Sequence, residues 1–260
     1  MRRLFSFYLF VSFAAMFFFS CSSYSVLFVI SPQTRLVMEE IDSTFLSKLD
    51  RSGVRVVVWS QGEPVALPSG DFSSVVLGPV VLTSRDLLPA VRRAFPELPV
   101  RGFVFSSAFA SSLSSEGVDV AVVSGASAFT KLASWLNDEG FNRVILLSYA
   151  DDGGLFSSFS TVNGVSRLVL GDGASFDSVR AALPLPSSDN RIAVVCFFPD
   201  FLDELLDFYA GRDGVVIVAV GVTDFSFLVR ASLVPDVDSV VSYVAGRSEF
   251  PVWRFVYQMN

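Results

Sequence analysis

Short, continuous apolar runs rich in Val, Ile and Leu recur along this chain and alternate with segments of helical period, and this alternation limits the fold more than any other feature. Strands are predicted at Val26 to Ser31, Val54 to Ser60, Ser74 to Leu82, Val100 to Phe105, Val118 to Val123, Asn142 to Tyr149, Ser166 to Leu170, Arg191 to Phe197 and Val215 to Val220. Runs that are apolar throughout, not at every second residue, belong to strands covered on both faces. That is the condition of a mostly parallel sheet with helices on either side, so the fold class is α/β.

Helices are predicted between the runs. Thr34 to Arg51 has apolar positions at Leu36, Val37, Ile41, Phe45, Leu46 and Leu49 and ends at Gly53. Arg85 to Phe95 follows a capping Ser84 and stops at Pro96. Ser127 to Glu139 presents Phe129, Leu132, Ala133 and Leu136 and closes on Gly140, and two more helices fall near Ser175 to Leu183 and Pro199 to Tyr209. The serine- and alanine-rich stretch after Phe105 reads equally as a loop or a weak helix. The element count divides the chain into lobes at 21–135 and 136–260, with the boundary inside residues 124 to 142.

Arg2 and Arg3 precede the apolar run Leu4 to Phe19, which closes on Ser20 and Cys21, the layout of a secretion signal over residues 1–20. The run is shorter than the roughly 20 residues that span a bilayer. Phe18-Phe19-Ser20-Cys21 resembles a bacterial lipobox, with Phe where that family usually has Leu and then a small or β-branched residue. The resemblance implies a lipid on Cys21, an exported chain and a tether to the cell envelope; an ordinary cleaved signal and an uncleaved anchor are the alternatives. Cys196, the other cysteine, lies in an apolar run and is expected to be a buried thiol.

Loss of Arg2 and Arg3 with the leader leaves 26 acidic residues against 19 basic ones less those two, a formal charge of −9. Such a surface, with lysines only at 48 and 131, excludes nucleic acid as a partner. The chain has no histidine. This removes the serine triad, the cysteine–histidine dyad and most zinc sites, and no enzymatic activity is expected. Gly171-Asp172-Gly173 lacks the spacing of a phosphate loop, Ser124-Gly125-Ala126-Ser127 is not a nucleophile elbow, and Asp151-Asp152-Gly153-Gly154 lacks the alternating ligands and distal Glu of a calcium loop. No cofactor or metal is expected.

Three segments carry a family resemblance: Ala90-Val91-Arg92-Arg93-Ala94-Phe95-Pro96 before a strand, Trp135 to Leu147 entering the second lobe, and Asp213-Gly214-Val215-Val216-Ile217-Val218-Ala219-Val220-Gly221. In these and in the order of units the chain resembles the type I periplasmic binding proteins, which include sugar receptors and basic membrane lipoproteins. The resemblance covers roughly Val26 to Tyr243, after which only Arg247 to Asn260 remains for the segments that in this family return to the first lobe. It implies two Rossmann-like lobes with mostly parallel sheets and a small polar ligand, of the sugar or nucleoside class, between them. It also implies an ABC transporter or another envelope protein as partner.

Ligands of open α/β sheets bind beyond the carboxyl ends of the strands. The candidates there are Ser31 and Gln33, Ser106, Tyr149 with Asp151, Phe198, and Asp224 with Phe225. Rings stack on the apolar face of a sugar or base while Asp and Gln bind its hydroxyl or amino groups. The alternative is a lipoprotein that keeps the fold without a ligand and serves as an interaction module of the envelope. The 27 phenylalanines are expected to fill the core, with Phe225, Phe227 and Phe250 left for a partner surface.

Overall fold

The computed structural model describes residues 24–82, 86–104, 114, 116–149, 155–170, 175–187, 190–197, 201–220 and 227–258, without the side chains of Val80, Tyr149, Leu155 and Phe156. The leader, Cys21 and the capping Ser84 lie outside them. No helix among the described residues is long and apolar enough to cross a membrane.

The strands form two sheets. Lobe 1 holds β1 (Val26–Ile30), β2 (Val54–Val58), β3 (Ser74–Leu77), β4 (Val100–Val104) and β5 (Asp119–Val122), all parallel in the order β2-β1-β3-β4-β5. Lobe 2 holds β6 (Arg143–Tyr149), β7 (Val165–Leu170), β8 (Ile192–Cys196), β9 (Val215–Val220), β10 (Val229–Pro235) and β11 (Trp253–Tyr257), in the order β11-β10-β9-β8-β6-β7. Only β11 runs antiparallel, against β10. With β11 set aside, both sheets have the same winding, the second strand outside the first and the third on its other side, so each reverses direction between its first and third strands.

Both faces of the inner strands β1, β8 and β9 are buried, which is why their sequences are apolar throughout. In β1, Val26, Phe28 and Ile30 enter one core and Leu27 and Val29 the other. In β8, Ala193 and Val195 face one side, and Ile192, Val194 and Cys196 the other. In lobe 1 the covering helices are α1 (Pro32–Ile41), α2 (Phe45–Arg51), α3 (Pro79–Leu82) and α4 (Leu87–Ala94). They are followed by α5 (Ala126–Asp138), α6 (Leu155–Ser158), α7 (Phe176–Arg180), α8 (Leu202–Tyr209) and α9 (Val237–Val244). Cys196 is a buried thiol, and Phe28, Phe45, Phe103 and Phe159 are fully buried, whereas Phe227 is 75% exposed.

Three expectations are corrected. The single helix over Thr34 to Arg51 is two, because the Asp42 carboxylate accepts hydrogen bonds from the Thr44 amide (2.8 Å) and the Thr44 hydroxyl (2.6 Å) and turns the chain there. Short polar side chains compete with helical backbone bonds in this way. The strand predicted over Ser74 to Leu82 ends at Leu77, since Pro79 opens α3, where its missing N–H is harmless. The short segment expected after Tyr243 does not return to the first lobe as a unit: it supplies β11, which pairs antiparallel with β10 at the edge of lobe 2's sheet, and β10 and α9 precede it.

Candidate functional site

The chain passes between the lobes three times: from β5 to α5 at Ser124, earlier than the 135/136 division, from β10 to α9, and from α9 to β11. The three passages lie side by side. The Ser124 amide donates to Pro251 O (2.9 Å), the Trp253 amide to Ser124 O (2.8 Å) and the Asp236 amide to Val252 O (2.9 Å). Ser239 ties two of them, accepting from the Val252 amide (2.9 Å) while donating to Asp236 O (2.8 Å). Asp236 in turn caps α9 by accepting from the Ser239 amide (2.8 Å). Strands β5 and β10 both end at these passages. Their sheets are parallel, so the carboxyl edges of both lobes turn toward the same seam.

Gly125, at the first passage, is required by close approach. A Cβ built there would lie 2.1 Å from the Phe129 ring, which is buried and meets Phe197 edge-on at 6.2 Å.

Helix α9 follows lobe 2's β10 but is docked on lobe 1. The Tyr243 hydroxyl donates to Gly102 O (2.6 Å), and its ring meets Phe103 at 5.7 Å. Arg101 donates to the carbonyls of Tyr243 and Val244 at the helix's C-terminal end, where a cation is favoured. At the other end Asp238 accepts from Lys48 Nζ (2.6 Å), which also binds Asp42 (2.6 Å). Lys48 holds the Asp42 carboxyl well below the usual range, helped by Thr44, and Asp238 and then Asp42 raise the Lys48 ammonium. Burial pushes the Tyr243 phenol up to about 12.

Of the residues singled out from sequence, Ser31 and Gln33 stand at the carboxyl end of β1 and Tyr149 ends β6, so they occupy the facing edges of opposite lobes. Ser31 is buried, and its hydroxyl is engaged in capping α1, accepting from the Thr34 amide and donating to Thr34 Oγ1, both at 3.0 Å. Gln33 is exposed on the first turn of α1. Ser106, Asp151, Phe198, Asp224 and Phe225 lie outside the described residues, as do Gly153-Gly154 and Gly171-Asp172-Gly173. Among the described residues no group of three or more Cys, Asp or Glu side chains is placed to hold a metal ion. Sequence reasoning missed the passage residues Asp236 and Ser239. The signal available for them was an Asp three positions before a Ser, directly after Pro235.

No family model and no curated relative matches the chain. Solved structures do. A ribose-operon-repressor-like protein from Burkholderia thailandensis is 12% identical, with 90% of this chain and 100% of that one aligned at a TM-score of 0.52. A transcription-regulator-like protein from Staphylococcus haemolyticus is 13% identical over 90% and 97% of the two chains, at 0.51. An ABC transporter solute-binding protein from Bacillus halodurans C-125 with bound myo-inositol aligns over 92% and 96% at 11% identity and a TM-score of 0.45. The chain has the type I periplasmic-binding-protein fold, the fold also of LacI-type regulators.

Proposed function

We propose that this protein is an extracytoplasmic solute-binding lipoprotein. The leader over 1–20 is removed, Cys21 carries the lipid tether, and the two lobes close on a small polar ligand of the sugar or nucleoside class. The loaded protein presents that ligand to an ABC transporter or another protein of the envelope, and it performs no chemistry on it. The observation that carries this reading is that two equally wound sheets turn their carboxyl edges toward one seam, beside three hydrogen-bonded passages.

Because the Ser31 hydroxyl is engaged, Gln33 supplies the amide of lobe 1, together with Ser106. Asp151 and Asp224 bind ligand hydroxyl or amino groups, and Tyr149, Phe198 and Phe225 offer rings to its apolar face. Native mass spectrometry of the mature protein from its own host, followed by thermal shifts with sugars, nucleosides and amino acids, tests the proposal. A co-purified molecule, or stabilisation by one class reaching about 2.7 kcal/mol at a hundredfold excess over Kd, supports it.

One observation favours a second reading, an envelope interaction module without a ligand. A single apolar cluster runs from Phe28 and Phe103 of lobe 1 through Val123, Phe129 and Val240 to Val144 and Val218 of lobe 2. A core continuous through the passages resists lobe opening. A featureless ligand panel would favour this module.

A further inference from the structure

On lobe 2, α7 and α8 leave a groove of about 490 Å³ between them. Its base is aromatic: Phe176 meets Phe208 at 6.3 Å, and Arg180 and Arg212 stand over the Phe208 ring at 5.7 and 5.3 Å. Its rim is acidic. Asp177, Glu204 and Asp207 line it together with Arg180, and none of these three carboxylates forms an ion pair among the described residues. With Arg212 counted, three carboxylates face two guanidiniums, an excess of one negative charge, and both guanidiniums already face the Phe208 ring.

Asp177, Arg180, Glu204 and Asp207 are all exposed, so the groove is open to solvent along its rim. We propose that it docks a basic, partly apolar segment of a partner protein, with Lys or Arg side chains among Glu204 and Asp207 and an aliphatic neighbour against Phe176. Charge complementarity of this kind gives selectivity and a salt-sensitive encounter. The groove shares no lining residue with the candidate ligand set, so the inference stands whether or not the lobes bind a ligand.

The test uses the mature protein and two fluorescent peptides, one alternating Arg with Leu and one alternating Glu with Leu, read by anisotropy. The basic peptide is expected to bind and the acidic one not, with binding weakened by added salt. Glu204→Gln with Asp207→Asn should weaken it about tenfold or more, as expected when charge-assisted hydrogen bonds are lost. Glu204→Lys with Asp207→Lys should transfer binding to the acidic peptide. The control is Asp71→Asn with Glu97→Gln on lobe 1, the same change of charge at two exposed acids. Equal weakening by the control would reduce the effect to bulk charge and overturn the proposal. Competition by arginine amide at the peptide's own concentration would also overturn it, since the groove would then be a small-cation site. Circular dichroism verifies that each variant is folded.

Discussion

Replacing Tyr243 by Phe tests how α9 is held on lobe 1. The hydroxyl donates a buried hydrogen bond, 2.6 Å to Gly102 O, and its removal leaves the ring contact with Phe103 intact. A neutral buried bond of this kind contributes about 1 to 2 kcal/mol once the unpaired carbonyl is included. The variant should be less stable than the parent by that amount at pH 7. The alkaline side discriminates. The phenol ionises near 10 when unfolded and about 12 in the folded protein, so the native state holds its proton more tightly. Its stabilisation is complete below pH 10 and is lost as pH rises toward 12, at about 1.4 kcal/mol per pH unit. Tyr209, pushed up to about 12 by burial, adds a loss of the same sign in both proteins. By pH 11 the parent has therefore lost about 1.4 kcal/mol more than the Phe variant, and the gap between them should close. Urea denaturation followed by tryptophan fluorescence at pH 7, 9, 10 and 11 measures this. A gap that stays constant across the series would refute the claim that the Tyr243 phenol titrates from a buried, hydrogen-bonded site.

Further outcomes follow from other positions. Gly164→Ala should lower stability by about 2 kcal/mol or more, seen as a falling Tm, because φ is +68° and the new Cβ lies 2.1 Å from Asn142 O. Asp238→Asn should cost less than about 1 kcal/mol and lose its effect in high salt, since this carboxylate is 78% exposed; a larger, salt-independent loss in urea titrations would contradict that. Ser239→Ala strips the Val252 amide of its partner and should cost about 1 to 2 kcal/mol in the same assay. Cys21→Ala should abolish labelling by radioactive palmitate in the native host and release the protein from membranes on fractionation.

What sequence reasoning reached depended on how local the physics was. The stripe Phe129, Leu132, Ala133 and Leu136 and the left-handed Gly140 define α5 with no outside help, and all four apolar residues are buried. The paired faces of β1 and β8 were readable because every position is apolar. β10 was not, because Arg230 and Ser232 interrupt its apolar run, although the Ser232 hydroxyl is satisfied inside the sheet by donating to Ala219 O at 3.1 Å. The break at Asp42 was hidden for a related reason. Its carboxylate is held from 6 residues away by Lys48, and Lys48 also reaches Asp238, 190 residues along the chain. At the candidate site, Ser31 and Gln33 follow β1 and Tyr149 ends β6, but position after a strand could not reveal that the Ser31 hydroxyl was already engaged by Thr34.

The passages also constrain how a protein of this shape can move. Val252 lies between Ser124 and Asp236, bonded to one through its neighbours and to the other directly, so rotation of one lobe cannot turn a single passage without breaking a main-chain bond. Motion must instead be shared by torsions on either side of the bonded trio, at residues 123–125, 235–237 and 250–252. Two of these stretches are stiffened, by Pro235 and Pro251, and in the third any side chain on Gly125 would meet the Phe129 ring. Helix α9 stays with lobe 1 throughout, because both of its ends and its Tyr243 are bound there. Rotation between the lobes would thus be small, with lobe 2 turning against a composite of lobe 1 and α9, and Ser239 is the side chain whose loss should loosen it most.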